Sequence, residues 1–328
     1  MPVVSVVVAA YQVAPYLDEC LTSIRVQTMG DLEVIVVDDG STDGSGDIAD
    51  AHAAADARLR VVHQANHGLS AARNAGLDLA RGRYVWFVDG DDFALPEMLE
   101  RLLERAEATG LPVVACDYWE VRGEAAARKG SFAGLGADVV DMHEFWSREY
   151  SGLTCAWSAM WNKLWRREVW GGVRFLEGHV NEDREVEVRL MGGLPGVGIV
   201  DEPLYCYRVR EGSITRAART PEHLDGAEAL LARDPWFAER GWEDLRRGNL
   251  MSLAGHMARA EEGVAGEPAE VRERYARCRA RTRALCRELL LHGGAASPAL
   301  LSRVVPYLAS ERLYRWLRTA ALRRHGVG

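Results

Sequence analysis

The chain has 328 residues, of which 48% are hydrophobic and 27% are charged, as in ordinary globular proteins. This composition excludes a disordered chain, a collagen-like fibre and a coiled-coil rod, and the longest apolar run is far shorter than the roughly 18 residues that a membrane-spanning helix needs. The net charge is −8, with 22 basic and 34 acidic residues in positions 1–220, and this acidic part does not suit nucleic acid as a partner.

The N-terminus and the cysteines predict a cytoplasmic protein. Residues 1–2 lead directly into a valine-rich segment, without the basic stretch, apolar core and cleavage site of a signal peptide. The six cysteines include no C-x-x-C pair, which indicates reduced, buried thiols rather than disulfides or a zinc site.

Residues 3–117 alternate short β-branched segments with longer amphipathic ones. Strands are predicted at 3–9, 32–37, 59–63, 84–88 and 113–116, and helices at 15–27, 47–57, 69–80 and 96–109. Nearly continuous apolar strands separated by helices indicate an α/β fold, in which a doubly wound parallel sheet is covered on both faces. Ligands bind such sheets beyond the carboxyl ends of the strands.

An acidic segment, DDGSTD at 38–43, follows the second predicted strand. A carboxylate there can accept the N3–H of a uracil-type base, and Gly40 permits close approach of the backbone. The alternative is an Asx turn that caps a helix starting at Asp47. No G-x-G-x-x-G follows the first strand, which disfavours a dinucleotide-binding dehydrogenase.

Asp89 and Asp91 flank a glycine directly after the fourth predicted strand. Paired carboxylates on a tight turn are hard oxygen ligands, and they suit Mg²⁺ or Mn²⁺ that bridges to substrate phosphates. The alternative is an acidic turn before a helix that begins at Pro96. A haloacid dehalogenase is not indicated, because its D-x-D would follow the first strand.

Farther along the chain the patterns are mixed. Residues 121–138, rich in glycine and charge, are predicted to form a loop or an irregular insertion, and the pattern beyond Pro221 is helical. One helical face is predicted from Val271, Tyr275, Cys278, Thr282, Leu285 and Leu289. Five tryptophans either stack on sugar rings or belong to the core, and they are Trp146, Trp157, Trp161, Trp165 and Trp170.

Four segments resemble the motifs of the family 2 inverting glycosyltransferases, in the same order and at the family's spacing. They are VVSVVVAAY (3–11), VVDDGSTD (36–43), NHGLSAARNAG (66–76) and FVDGDD (87–92). The resemblance covers residues 1–215. It implies the GT-A fold with a mixed sheet, a nucleotide-diphosphate sugar donor, with a UDP-sugar preferred, and Mn²⁺ or Mg²⁺ as cofactor.

The same resemblance implies a domain division and roles by position. Residues 1–215 would be the catalytic domain, with a nucleotide-sugar half 1–117 and an acceptor half 118–215. Residues 216–328 carry no motif of the family, and their helical pattern predicts a C-terminal helical extension. The nucleotide would be met by Ala9, Tyr11, Asp39 and Arg73. Asp91 would be the main metal ligand, and Asp89 would reach the ribose, the sugar or the metal.

Glu182 and Asp183 resemble the family's Glu-Asp pair at the start of a helix. An acceptor hydroxyl must lose its proton as it attacks, so Asp183 is the candidate general base. The alternative is an acidic first turn of a helix that runs to Met191. The next residues, 184–186, depart from the family's usual acid and aromatic residue, which bears on the choice of acceptor.

Two basic segments resemble donor-binding parts of the family. WNKLWR (161–166) would bring Lys163 near the donor phosphates or the sugar, unless this lysine is an exposed residue of a helix. YRVREGSIT (207–215) would supply phosphate donors from Arg208, Arg210 and Ser213, unless these charges belong to strand pairing.

These observations predict a metal-dependent, inverting glycosyltransferase that moves a sugar to a hydroxyl of a glycan, a polymer or a small molecule. One alternative is a non-catalytic protein that binds a nucleotide-sugar or a glycan on the same fold. A second is a nucleotidyltransferase that forms sugar nucleotides, but the glycine-rich basic loop that would hold its triphosphate is missing.

The C-terminal residues 312–324 combine an apolar helical face with several arginines. The apolar side chains are Leu313, Trp316, Leu317 and Ala320. Such a helix either lies on an anionic membrane surface, as peripheral contact at the inner membrane face, or packs on the catalytic domain or on a second copy as a homo-oligomer. Packing is the preferred interpretation.

Overall fold

The computed structural model describes residues 1–129, 132, 135–150, 156–179, 181–210, 220–292, 306–307 and 310. The chain divides into two compact units, Met1–Glu211 and Gly212–Gly328. In the described ranges, no helix is both long and apolar enough to cross a membrane. The first unit contains a sheet with its helices, and the described part of the second unit is helical.

The described strands of the first unit join in one ten-stranded sheet. They are β1 (Val4–Ala10), β2 (Leu32–Asp38), β3 (Leu59–His63), β4 (Tyr84–Asp89), β5 (Phe93–Ala94), β6 (Val113–Arg122), β7 (Ala125–Lys129), β8 (Val139–Asp141), β9 (Lys163–Arg166) and β10 (Gly196–Arg208). Their order is β3-β2-β1-β4-β9-β6-β10-β5, with β7 paired to β6 and β8 paired to β10. β3, β2, β1 and β4 run parallel, whereas β9 is antiparallel to β4 and β6, so the sheet is mixed as predicted.

The strands and helices predicted for the first 117 residues are confirmed to within two residues, apart from the end of β6. Every residue of β1 and of β2 is buried. Because successive side chains of a strand point to opposite faces, complete burial means that both faces of the sheet are covered there. The predicted α/β arrangement is confirmed.

The prediction of a loop over residues 121–138 is wrong in part. β6 continues to Arg122, and β7 returns antiparallel beside it after a turn at Gly123, where φ is +58°. All five residues of β7 are exposed, and its sequence AAARK has neither alternation nor β-branched side chains. The strand therefore depends on pairing with β6, and a local pattern could not have indicated it.

Six helices belong to the described part of the first unit. They are α1 (Ala14–Arg25), α2 (Ser45–Ala55), α3 (Leu69–Leu79), α4 (Met98–Thr109), α5 (Met142–Glu149) and α6 (Glu182–Met191). Helix α3 packs tightly on β1, because a Cβ added to Gly76 would stand 2.3 Å from Val7 Cγ1. Only glycine permits this approach, so the position of α3 on the sheet is fixed.

In the second unit the helices are α7 (Thr220–Glu239), α8 (Glu243–Gly263) and α9 (Ala269–His292). Helix α9 confirms the helix predicted from the apolar repeat, and Cys278, Thr282, Leu285 and Leu289 of that repeat are buried. The basic amphipathic pattern at 312–324 lies outside the described residues.

Candidate active site

Polar residues from three strands meet at one edge of the sheet. Ala9 of β1 pairs with Asp89 of β4, and the backbone N–H of Asp39 donates to the carbonyl of Ala10 over 2.9 Å. Tyr11 follows β1 and is 47% exposed. The residues expected to meet the nucleoside and those expected to hold a metal therefore lie at adjoining strand ends.

Asp39 is buried and organises the loop that follows β3. Its Oδ1 accepts hydrogen bonds from Gln64 Nε2 at 2.7 Å and from the His67 N–H at 2.9 Å, and its Oδ2 accepts from the Gly68 N–H at 2.8 Å. A carboxylate has about four acceptor positions, so this network leaves one for a ligand N–H. Gln64 was missed from the sequence, because its amide meets Asp39 only when the two loops come together.

Arg73 stands at the centre of the site and is 2% exposed. One terminal nitrogen, NH1, donates to Glu182 Oε1 at 2.8 Å and to Asp183 Oδ1 at 2.7 Å, and the other, NH2, donates to Asp89 Oδ1 at 2.9 Å. Burial alone would lower the pKa of Arg73, but the three carboxylates raise it above its ordinary value. The guanidinium is therefore always charged, and it joins the acidic turn after β4 to the start of α6.

Two further arginines hold the acidic turn from the end of β10. Arg210 Nε donates to Asp91 Oδ2 at 2.6 Å, and Arg208 Nε donates to the carbonyl of Asp91 at 2.9 Å. Both guanidinium groups lie over the ring of Tyr16, at 5.0 Å for Arg208 and 5.6 Å for Arg210. Burial raises the pKa of Asp91 and the Asp89 carboxylate raises it further, whereas Arg210 lowers it.

Asp92, the last residue of the acidic turn, has a structural place that the sequence did not indicate. It is buried, and its carboxylate accepts from Tyr205 Oη at 2.8 Å and from the backbone N–H of Arg208 at 2.7 Å. These two bonds attach the turn to β10. The three aspartates after β4 thus differ in role, since only Asp89 and Asp91 retain partly exposed carboxylates.

Glu182 and Asp183 form the first turn of α6, with Asn181 before them in the left-handed region at φ +65°. Burial raises the pKa of Glu182 to about 7, and the neighbouring Asp183 carboxylate raises it as well, against the lowering effect of Arg73. Burial also raises the pKa of Asp183, whereas Arg73 and Lys163 lower it. A raised pKa makes a carboxylate a stronger base, as a proton acceptor requires.

The pKa of Glu182 leads to a stability prediction. Its folded value of about 7 lies above the ordinary value of 4.5, so between these values the folded protein binds more protons than the unfolded chain. The free energy of unfolding therefore falls as the pH rises through this range. Since one pKa unit corresponds to about 1.4 kcal/mol, the loss is at most on the order of 3 kcal/mol. Glu182→Gln lacks this loss. Its Tm relative to wild type, measured in EDTA, should therefore be higher at pH 8 than at pH 5. An equal difference from wild type at both pH values would contradict this.

Lys163 lies inside the protein and in a strand, not on an exposed helix. It is fully buried in β9, and its Nζ donates to the carbonyls of Ala156 at 3.0 Å and Ala159 at 2.5 Å. Its charge acts on Asp183, as noted above. The five tryptophans considered as sugar platforms are all buried, which agrees with the core interpretation. Ser213 lies outside the described residues.

The acidic turn presents oxygen ligands suited to a divalent cation. Within the described ranges, no group of three or more His, Cys, Asp or Glu side chains could hold a metal ion. Asp89 and Asp91 nevertheless bring two carboxylates together, and the pKa of Asp91 is raised first by burial and then by the Asp89 carboxylate. Mg²⁺ and Mn²⁺ are commonly held by one or two carboxylates, with phosphate oxygens and water completing the shell. The donor set fits a cation that arrives with a diphosphate.

Comparison with known proteins adds a family and a fold. Residues 5–147 match the profile of Glycosyl transferase family 2. The uncharacterized glycosyltransferase EpsJ of Bacillus subtilis (strain 168) is 35% identical over 230 residues, which cover 68% of this chain and 67% of EpsJ. The aligned part therefore spans about two thirds of that relative's length.

Two solved structures share the fold. S. aureus TarS 1-349 in complex with UDP-GlcNAc has a TM-score of 0.69 at 19% identity, covering 99% of this chain and 92% of that one. The mannosyltransferase PcManGT from Pyrobaculum calidifontis, in complex with GDP-Man and Mn²⁺, has a TM-score of 0.53 at 18% identity, covering 98% and 86%. At these identities the likeness is one of fold.

Proposed function

The chain belongs to glycosyltransferase family 2, and we propose that it is a metal-dependent, inverting enzyme that transfers a sugar from a nucleotide-diphosphate sugar, preferably a UDP-sugar, to an acceptor hydroxyl. The acceptor would be a glycan, a polymer or a small molecule. The observation that carries the proposal is the Arg73 cluster, because one guanidinium holds both Asp89, a candidate metal ligand, and Asp183, the candidate base. A site for a leaving diphosphate and a site for a proton acceptor are thereby adjacent.

Asp91 and Asp89 would hold the divalent cation. When bound, the cation neutralises negative charge that develops on the diphosphate as the sugar–phosphate bond breaks. The presence of Mn²⁺ with GDP-Man in the structure of PcManGT supports this assignment. Arg208 and Arg210, beside the same turn, would donate to the phosphate oxygens together with Ser213.

Asp183 would take the proton of the acceptor hydroxyl as that oxygen attacks the anomeric carbon opposite the diphosphate. Inversion follows from this single displacement, in which one carboxylate acts as base and no covalent sugar intermediate forms. Burial raises the pKa of Asp183, as suits a group that has to accept a proton, and the nearby cations Arg73 and Lys163 lower it. Lys163, whose buried Nζ is held by backbone carbonyls, would act on this carboxylate through its charge and not by contact with the donor.

Ala9, Tyr11 and Asp39 would border the nucleoside. The remaining acceptor position of Asp39 suits the N3–H of uracil, and the exposed ring of Tyr11 offers a stacking surface. The structure of TarS with UDP-GlcNAc supports uridine as the nucleoside to test first. Arg73 would act on the donor through Asp89, since its own nitrogens are directed at carboxylates.

The donor class can be tested by thermal unfolding of the whole chain with UDP, GDP, CDP and dTDP, each with Mn²⁺ and with EDTA. A ligand at 100 times its dissociation constant stabilises a protein by about 2.7 kcal/mol, which corresponds to a rise of several degrees in Tm. We expect this rise with UDP and Mn²⁺, and a much smaller one in EDTA. If none of the nucleotides raises Tm, the donor assignment is contradicted. If UDP raises Tm equally in EDTA and in Mn²⁺, the metal dependence is contradicted.

A further inference from the structure

Two consecutive residues of α3, Arg73 and Asn74, both reach the segment that carries the candidate base. Asn74 Oδ1 accepts from the backbone N–H of Phe175 at 2.9 Å, and its Nδ2 donates to the carbonyl of Phe175 at 3.0 Å and to Glu177 Oε1 at 3.1 Å. Arg73 holds Glu182 and Asp183 a few residues later. Asn74 thus binds the backbone of the segment, and Arg73, the residue before it, binds the carboxylates.

The helix that carries these two residues packs closely against the sheet. Gly76 lies three residues after Arg73, and the contact of its α-carbon side with Val7 of β1 leaves no room even for a methyl group. Asn74 and Arg73 are themselves 8% and 2% exposed. Both side chains are buried and hydrogen-bonded, and breaking these bonds would leave buried partners unsatisfied at a cost in free energy, which favours one geometry.

The two contacts also support each other. The ring of Phe175, whose backbone Asn74 holds, lies 5.3 Å from the Cζ of Arg73. The planar guanidinium then presents separate nitrogens to Asp89 and to Asp183, so the relative position of these two carboxylates is set by one rigid group.

We propose that Arg73 and Asn74 are positioning residues, which dock residues 175–177 and 182–183 on α3 and hold the Asp183 carboxylate at a fixed place relative to Asp89. This inference rests on the proposed function, because it takes Asp183 as the base. It gives Asn74 a role in the reaction that does not require contact with donor or acceptor.

The experiment compares Asn74→Ala and Arg73→Lys with wild type. Lysine keeps the charge but has one nitrogen, which cannot bridge the carboxylates as a fork does. The matched control is Asp78→Asn on the same helix, since Asp78 pairs with Arg174, the residue before Phe175, through partly exposed side chains. Exposed pairs of this kind contribute little, so the control should resemble wild type.

Hydrogen exchange is measured on peptides covering 175–191, with peptides covering 32–38 as the internal reference. We expect faster exchange in 175–191 in both Asn74→Ala and Arg73→Lys, and unchanged exchange in 32–38. For Asn74→Ala, which does not touch Asp89, we also expect an affinity for UDP with Mn²⁺ within about twofold of wild type. This readout needs no sugar donor. Unchanged exchange in 175–191 would overturn the proposal.

The second readout is UDP release from UDP-glucose, UDP-galactose and UDP-N-acetylglucosamine with water as acceptor. We expect kcat to fall about 100-fold in both variants with little change in KM, as for a catalytic group displaced by about 1 Å. Asp183→Asn is measured beside them. If Asp183→Asn turns over normally, the proposed function fails; if only Asp183→Asn is inactive and the two variants have normal kcat, the positioning role fails and the proposed function stands.

Discussion

Asp183→Asn is expected to abolish sugar transfer, with kcat reduced between about 100- and 10,000-fold, while the protein still binds UDP and Mn²⁺. Asparagine has the shape of aspartate, and its amide oxygen can still accept the hydrogen bond that Arg73 NH1 donates at 2.7 Å. It cannot take up a proton at neutral pH, so only the base is lost. Initial rates of UDP release and calorimetric titration with UDP measure the two properties separately.

The neighbouring carboxylate supplies the control for this prediction. Glu182→Gln changes the other partner of the same Arg73 nitrogen, and burial already keeps a large part of Glu182 protonated at neutral pH. We therefore expect this variant to retain most of the activity. If Asp183→Asn stays within tenfold of wild type, or if Glu182→Gln is the inactive variant, Asp183 is not the base.

Asp91→Asn is expected to remove the part of UDP binding that depends on Mn²⁺. An amide oxygen carries no charge, so the cation loses its main protein ligand, and the dissociation constant for UDP in Mn²⁺ should rise about 100-fold, which corresponds to about 2.7 kcal/mol. In EDTA the variant and wild type should bind UDP alike. Calorimetry in the two buffers makes the comparison within one protein preparation.

Asp92→Asn separates loss of a ligand from damage to the turn. Asp92 is buried against Tyr205 and the backbone of Arg208, so its replacement should lower Tm without selectively removing the Mn²⁺ dependence of UDP binding. If Asp91→Asn retains the full Mn²⁺ effect, the cation does not depend on Asp91. If both variants lose it equally, the loss reflects disruption of the turn.

Much of the fold could be predicted because its signals are local. β1, β2 and β4 are apolar segments buried on both faces, and the helices between the strands repeat with helical spacing. The GT-A fold implied by the motifs is confirmed by the likeness to TarS. A short strand such as β9, of four residues, is stabilised by pairing with its neighbours β4 and β6, and no pattern of alternating residues predicts it.

The site could be predicted only as a set of separate parts. The strand ends indicated Asp39, Asp89 and Asp91, because parallel strands bring their carboxyl ends to one edge. Arg73 binds Glu182 and Asp183, which lie 109 and 110 positions away, and no local spacing in the sequence indicates this contact. Asn74 lies within the family motif at 66–76, but it binds the backbone of Phe175, and a contact with a backbone group cannot be predicted from the sequence.

The pair of Arg210 and Asp91 has a consequence for the order of binding. Arg210 serves as a built-in counter-ion, and its side chain is 25% exposed, whereas Arg73 is 2% exposed and held by three carboxylates. If Asp91 holds a metal ion as proposed, Arg210 is therefore the arginine that can release Asp91 when the ion binds. A lone cation must break this ion pair without compensation, but a cation that arrives with a diphosphate offers the released guanidinium new oxygen partners. Metal and nucleotide are then thermodynamically linked, and each increases the affinity for the other by the same factor.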